Sequence, residues 1–359
     1  MKKFLYLLFG ILAALVSTEM MLRVLPVSTA TLTGYYIHPN ILTNPPHHQW
    51  IMSTGWDLRD AQRMRANNFG FAATADFQPG HPAIGLVGDS YVEASMLSWA
   101  ERPAAQLELA LGSRRPVYAL GGPGSSLLDY AERIRWAYDV LEVREFVVLM
   151  ESTDATQALC DSGNVHARCL DPETLTPVLR HRSAPGLIKG LARHSALVQY
   201  LVSQLKLTPA RILQAEFWKS GGPSTHEAKV PVHRQSQAEG AQRISARQAT
   251  VIDAAVTEFH RLVDPLPDLR VVFVIDMNRK NLEAGRQDPD QSHHVQQRLR
   301  EAGYAALRGE TYYREHLSRS SLRLDMGPHD AHLNATGVKL LMAAASMLLN
   351  ERPATALGR

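Results

Sequence analysis

Short apolar runs alternate with segments of helical periodicity between residues 83 and 308. Continuous apolar runs of this length are typical of strands that are buried on both faces. They occur at residues 83–87, 117–120, 145–150, 269–275 and, more weakly, 304–308. Helical spacing of apolar positions occurs at 102–112, 126–142, 246–263, 289–302 and, in a final amphipathic segment, about 335–349. The alternation predicts a three-layer α/β/α fold around a doubly wound parallel sheet.

The first 25 residues are predicted to form a membrane anchor. Lys2 and Lys3 precede an apolar run that extends to Leu25, with Glu19 and Arg23 near its far end. Its length approaches the roughly 20 residues that a membrane-spanning helix needs. The lysines favour a cytoplasmic N-terminus and an exported remainder. Because no small-x-small cleavage motif follows, we expect an uncleaved anchor in the inner membrane, with the remainder in the periplasm, rather than a cleaved signal peptide.

One segment interrupts the alternation of strands and helices, and others flank it. Residues 155–245 contain the two cysteines and a polar stretch from 220 to 245, and we predict one or two helices around 186–217. We interpret them as an insertion or cap within a single domain at 83–350. Residues 26–82 are rich in Pro, Asn, His and Gly and predict an irregular lead-in from the membrane. Residues 351–359 form a C-terminal tail.

Composition agrees with a globular chain of this kind. Apolar residues make up 45% and charged residues 20% of its 359 positions, which fits a large buried core and not a disordered or fibrous chain. The formal net charge is +3 and no long run of Lys and Arg occurs. Nucleic-acid binding therefore has no compositional support.

Cys160 and Cys169 are the only cysteines in the chain. In an exported protein, two cysteines this close together favour a short-range disulfide. Two free, partly buried thiols are the alternative. Two ligands alone make a poor zinc site, and the pairs His47-His48 and His293-His294 have no carboxylate or cysteine at metal spacing. We therefore expect no metal and no cofactor.

Ser90 is the first candidate for chemistry. It follows a buried strand, at Gly88-Asp89-Ser90, and we expect it to open a helix, whose free N–H groups stabilise negative charge. A serine hydroxyl needs an oriented base to act as a nucleophile. His332 and Asp330, just before the final helix, can supply that base and the carboxylate that orients it. Alternatively, Ser90 and Asp330 are helix-terminal residues without a catalytic role.

Three blocks of the chain together resemble the SGNH/GDSL hydrolase superfamily. Residues 84–90, Ile-Gly-Leu-Val-Gly-Asp-Ser, are similar to its first block, and residues 330–337, Asp-Ala-His-Leu-Asn-Ala-Thr-Gly, to its last. Gly121-Gly-Pro-Gly124 is similar to the second block, whose glycine N–H helps to bind the oxyanion. The resemblance implies a flavodoxin-like fold, the catalytic residues Ser90, His332 and Asp330, and an oxyanion hole made by Ser90 and Gly124.

The sequence departs from the family pattern at two points. Thr153, in Glu151-Ser-Thr-Asp154, occupies the position of the family's oxyanion asparagine, so its hydroxyl is a candidate third oxyanion donor, and the alternative is that it has no role in the oxyanion hole. Asp330 lies two residues before His332, whereas many of these hydrolases have a spacing of three. The shorter spacing occurs among relatives that acetylate polysaccharides.

The resemblance implies an enzyme that acts on acyl esters. We expect a serine-dependent esterase acting on O-acetyl groups of envelope or secreted polysaccharide. One alternative is a polysaccharide O-acetyltransferase that works with a membrane partner delivering acetyl groups. The other is a non-catalytic glycan-binding or assembly protein on the same fold, which the missing asparagine would permit.

Overall fold

The computed structural model describes residues 2–183, 186, 190, 192–205, 207, 244–277, 279, 282, 291–327 and 330–351. The predicted polar stretch at 220–245 and the C-terminal tail lie almost wholly outside the described residues. The chain divides into two compact units. One comprises Met1–Ala30, Ile51–Ala61 and Pro185–Gln242, and the other comprises Thr31–Trp50, Gln62–Ala184 and Arg243–Arg359.

The described residues contain the predicted alternation of strands and helices. The strands are β1 (Gly34–His38), β2 (Ile41–Thr43), β3 (Gln49–Thr54), β4 (Arg59–Arg65), β5 (Ile84–Gly88), β6 (Val117–Gly121), β7 (Glu145–Glu151), β8 (Arg168–Leu170), β9 (Pro177–Leu179), β10 (Arg270–Asp276), β11 (Ala305–Arg308), β12 (Asp325–Gly327) and β13 (Asp330–Leu333). The helices are α1 (Lys2–Val24), α2 (Ser90–Glu93), α3 (Pro103–Ala110), α4 (Leu127–Val140), α5 (Ala196–Val198), α6 (Ala246–Val263), α7 (Gln291–Glu301), α8 (Glu310–Arg319) and α9 (Ala335–Asn350).

A five-stranded parallel sheet forms the centre of the larger unit, in the order β6-β5-β7-β10-β11. The chain begins the sheet at β5, adds β6 on one side of it and then β7, β10 and β11 on the other. This order confirms the doubly wound α/β fold. Parallel strands end at the same edge of the sheet, so the residues after β5 and β6 lie on that edge together.

Both faces of the sheet are buried, which explains the continuous apolar runs. Val148 and Phe273 belong to one core cluster, and their neighbours Val147 and Val272 belong to the other. Successive side chains of a strand point to opposite faces, so each strand supplies both cores. Helices α4, α6 and α7 supply residues to the first cluster, and α3 and α9 to the second.

The lead-in is more ordered than the sequence predicts. β1 pairs with β2 and β3 with β4 in two-stranded sheets. Phe77 stacks on Tyr118 of β6 with ring centroids 4.3 Å apart, and Ile41 and Phe71 join the same core cluster. The expectation of an irregular segment was wrong here, because the Pro, Asn, His and Gly residues on which it rested lie largely outside these four strands, in the turns between them and after them.

The N-terminal helix and the cysteine pair agree with the predictions for them. Helix α1 is long and apolar enough to cross a membrane, a test that a signal sequence also passes. Its Glu19 accepts hydrogen bonds from the Ser195 hydroxyl at 2.9 Å and from the Leu197 N–H at 2.9 Å, within the smaller unit. Cys160 and Cys169 form a disulfide, as predicted.

Candidate active site

Ser90 begins the short helix α2, two residues after the interior strand β5 ends at Gly88. Asp89 caps this helix, because its Oδ1 accepts a hydrogen bond from the Tyr91 N–H at 2.8 Å. Gly88 is required here, since a Cβ at this position would lie 2.4 Å from the carbonyl oxygen of Leu149 on β7. The turn therefore presents Ser90 at the carboxyl edge of the sheet, where sequence analysis placed it.

The structure brings His332 and Asp330 to Ser90. His332 Nε2 lies 2.9 Å from Ser90 Oγ, and His332 Nδ1 lies 2.6 Å from Asp330 Oδ1. Both residues belong to strand β13, in which side chains two positions apart point to the same face. Many of the hydrolases that the chain resembles have Asp three residues before His. In this chain the separation is two, which is the separation that places both side chains on one face of a strand.

Ala331 lies between the two candidate catalytic residues, and its carbonyl oxygen accepts two hydrogen bonds from side chains of other elements. It accepts a hydrogen bond from the Tyr91 hydroxyl at 3.0 Å and another from Arg279 Nη2. Arg279 is buried and also contacts the carboxylates of Asp276 and Asp325. These contacts join β13 to the end of β10 and to α2, so they fix the backbone of the strand that carries His332 and Asp330.

The charges around His332 favour its protonated form. Burial lowers the pKa of the imidazole. The hydrogen bond and the negative charge of Asp330 raise it, as do the charges of Asp89 and Glu151, and together they outweigh the effect of burial. The net result is a His332 pKa above its ordinary value of 6.5. A raised pKa makes the imidazole a stronger base for the serine proton.

Asp89 contacts Ser90 without belonging to the hydrogen-bonded chain through His332. Its Oδ2 lies 3.3 Å from Ser90 Oγ, which is longer than the contact of that hydroxyl with His332. Burial raises the pKa of the Asp89 carboxyl, and its hydrogen bond from Tyr91 and the nearby His332 oppose that rise. Its geometry is that of a helix cap.

Gly124 lies in the turn after β6, the strand next to β5. Its φ is +68°, a left-handed conformation that glycine adopts without strain. The buried guanidinium of Arg133 joins this turn to the serine loop, since it donates to the Gly88 carbonyl at 2.9 Å and to Ser125 Oγ at 2.5 Å. The oxyanion role of the Gly124 and Ser90 N–H groups stays a prediction.

The hydroxyl of Thr153 follows strand β7 and is engaged locally. It donates to Glu151 Oε2 at 3.1 Å and accepts from Gln157 Nε2 at 3.2 Å. Its single proton is therefore directed to Glu151 in this structure. Whether Thr153 replaces the family's asparagine donor stays a prediction, which we test below.

Sequence reasoning missed Tyr91, Arg279 and Glu151 as parts of this site. Arg279 and Glu151 carry a signal that could have revealed them, because each lies at or just after the carboxyl end of a parallel strand, where sites form. Tyr91 carries none beyond its position next to Ser90. Of the histidine pair His293-His294, His294 lies with its Nε2 2.9 Å from Asp253 Oδ1. Among the described residues, no group of three or more His, Cys, Asp or Glu could hold a metal ion.

No family model matches the chain, and no curated protein matches it. Solved structures of low similarity align with most of its length. A member of the lipolytic G-D-S-L family from Veillonella parvula is 11% identical, with 75% of this chain and 98% of that chain covered and a TM-score of 0.37. A catalytic variant of an acetylxylan esterase from Geobacillus stearothermophilus is 12% identical over 77% and 97% of the two chains, with a TM-score of 0.38. A carbohydrate acetylesterase from Sinorhizobium meliloti is 10% identical over 75% and 98%, with a TM-score of 0.33. Similarity at this level assigns no activity to this chain.

Proposed function

We propose that this protein is a serine-dependent esterase of the SGNH/GDSL type that cleaves acyl esters, with O-acetyl esters as its substrates. The observation that carries the proposal is the continuous contact from Asp330 through His332 to Ser90, with distances of 2.6 and 2.9 Å. A nucleophile, a base and a carboxylate that orients the base are the parts required for acyl transfer.

The reaction begins with proton transfer from Ser90 Oγ to His332 Nε2. The serine oxygen attacks the acyl carbon, and the N–H groups of Ser90 and Gly124 stabilise the charge on the carbonyl oxygen. His332 then gives its proton to the leaving alkoxide, and the alcohol departs from an acyl-Ser90 intermediate. Water attacks this intermediate with His332 again as the base, so the acid is released and Ser90 regains its proton.

The test is hydrolysis of an aryl acetate by the full chain in detergent. We expect turnover that Ser90→Ala abolishes, and covalent labelling of Ser90 by a serine-reactive phosphonate. Ser318→Ala is the matched control, because its exposed hydroxyl on α8 bonds only to a carbonyl of its own helix. Absence of both turnover and labelling in a folded protein would contradict the esterase proposal.

The substrates we propose are O-acetyl groups of envelope or secreted polysaccharide, with the enzyme held at the inner membrane and its catalytic unit in the periplasm. Helix α1 supports this location, as do Lys2 and Lys3 before it. A C-terminal reporter that folds only outside the cytoplasm should be active in cells. A reporter that works only in the cytoplasm should be inactive, and the reverse pattern would exclude this orientation.

O-acetyl transfer is the second candidate, favoured by the two-residue spacing of Asp330 and His332. In that case a sugar hydroxyl takes the place of water and a membrane partner supplies the acetyl group. The two activities are separated by offering glycan acceptor and aryl acetate together. Acetylated glycan in place of free acetate identifies a transferase. A purely glycan-binding protein has no need for the contact between His332 and Ser90.

A further inference from the structure

Two side chains lie beside Gly124, on the candidate oxyanion side of Ser90. A Cβ placed on Gly124 would lie 3.8 Å from Asn164 Oδ1 and 3.9 Å from Arg182 Nη2. Asn164 belongs to the loop that the Cys160–Cys169 disulfide closes. A Cβ would make ordinary van der Waals contact with both atoms, so Asn164 and Arg182 line the surface beside Gly124.

Arg182 is held in place by neutral groups. Its Nε donates to the Val165 carbonyl at 3.2 Å and its Nη2 to the Gly163 carbonyl at 3.0 Å, both in the disulfide loop. Its backbone N–H donates to the Tyr35 hydroxyl at 2.8 Å. Both the backbone and the guanidinium of Arg182 are therefore held by hydrogen bonds. The guanidinium forms no ion pair with any carboxylate among the described residues.

The neighbouring Arg180 shows the contrast. It lies two residues earlier on the same segment and forms ion pairs with Asp161 at 3.1 Å and Asp171 at 3.9 Å. Arg182 instead keeps its charge available at the edge of the site, and it has further N–H donors beyond the two that the loop carbonyls accept.

We propose that Arg182, with Asn164, forms a subsite for a negatively charged group of the substrate close to the scissile ester. This inference rests on the proposed function and adds a substrate class to it: acyl esters of acidic glycans or other carboxylate-bearing or phosphate-bearing alcohols. A fixed guanidinium binds carboxylate or phosphate by two parallel hydrogen bonds, and such charge-assisted bonds are stronger than neutral ones. The Oδ1 atom of Asn164, which is the amide atom nearest Gly124, accepts hydrogen bonds and suits a sugar hydroxyl beside the anionic group.

The kinetic test compares two acetylated oligosaccharides, an oligogalacturonate and a neutral xylo-oligosaccharide, as substrates of the full chain. We expect the wild type to prefer the acidic substrate in kcat/KM, and Arg182→Gln to reduce that preference by about tenfold or more. Arg182→Lys should retain part of it, and added salt should weaken it. Arg180→Gln is the matched control and should leave the preference unchanged. An equal loss on both substrates in Arg182→Gln would identify a structural brace and overturn the inference.

A binding measurement separates this inference from the esterase proposal. Calorimetry of the Ser90→Ala protein with the same oligosaccharides needs no turnover. Tighter binding of the acidic one that is lost in Ser90→Ala/Arg182→Gln supports the subsite even if no ester is hydrolysed. Equal binding of both oligosaccharides would overturn the subsite, whatever the outcome for Ser90. Phosphorylated and carboxylated acetate esters then distinguish the two kinds of anion.

Discussion

The hydroxyl of Tyr91 donates a hydrogen bond to the carbonyl oxygen of Ala331 at 3.0 Å. This bond joins the residue after the candidate nucleophile to the residue between the candidate base and its carboxylate. The Tyr91 ring also lies against that of His332, with centroids 5.0 Å apart. Tyr91 therefore positions His332 relative to Ser90.

Removal of this bond by Tyr91→Phe should lower kcat by about 2- to 10-fold at unchanged KM, since a typical hydrogen bond contributes about 0.5–1.5 kcal/mol net. Arg279 still holds the Ala331 carbonyl, which limits the loss. Steady-state kinetics with an aryl acetate measure the effect. Tyr36→Phe is the control, because its half-exposed hydroxyl makes a similar bond to a carbonyl, of Leu32, at 2.8 Å. Equal kcat values in the two variants would refute a positioning role.

The pH dependence of hydrolysis should report the raised pKa of His332. Only neutral imidazole can accept the serine proton, so kcat/KM should rise with pH and its midpoint should lie above 6.5. Asp330→Asn removes the charge that stabilises the imidazolium, so the midpoint should move to lower pH. The same change should reduce kcat by at least about a hundredfold, because the asparagine amide favours the wrong tautomer of the imidazole. A midpoint that does not move would mean that another group controls the profile.

The same shift has a consequence for stability with a definite sign. A His332 pKa above its unfolded value means that the folded state binds the proton more tightly. This contribution to the free energy of unfolding is fully present below the unfolded pKa of about 6.5 and is lost as the pH rises through the folded pKa. Denaturant unfolding of the wild type and His332→Gln across this range should show the difference, and parallel curves would exclude it.

Thr153→Val tests whether the threonine hydroxyl is an oxyanion donor. Because that proton is given to Glu151, we expect kcat to change by less than about threefold, whereas loss of a true oxyanion donor costs about a hundredfold or more. Thr156→Val is the control, since its hydroxyl donates at 2.8 Å to the backbone carbonyl of Thr153. A large loss of kcat in Thr153→Val but not in Thr156→Val would show that the Thr153 hydroxyl is an oxyanion donor.

The disulfide should support both stability and the proposed anion subsite. Closing a loop with a sequence separation of 9 corresponds to roughly 2–3 kcal/mol in the chain-entropy model. Replacement of Cys160 and Cys169 by serine should lower the free energy of unfolding by about that amount. It should also weaken the preference for acidic substrates, because the loop carbonyls that hold Arg182 lose their constraint. Denaturant unfolding and the paired-substrate assay measure the two effects, and unchanged values in both would contradict this account.

The sequence alone determined the α/β class, the positions of the five parallel strands and the candidate residues Ser90, Asp330 and His332. It could do so because strands buried on both faces need continuous apolar runs, and because short motifs directly follow such strands. The spacing of Asp330 and His332 was also visible, but its meaning was not. Only the strand conformation of β13 shows why a separation of two places both side chains on one face.

Tertiary structure decided the contacts between residues that are distant in the chain. Tyr91 and Ala331 are separated by 240 positions and Arg279 and Ala331 by 52, so no local pattern links them. Packing of the lead-in and the placement of Arg182 beside Gly124 likewise depend on how loops fold back on the sheet. Local periodicity records which face of an element is buried, whereas the identity of its neighbour is set by the path of the whole chain.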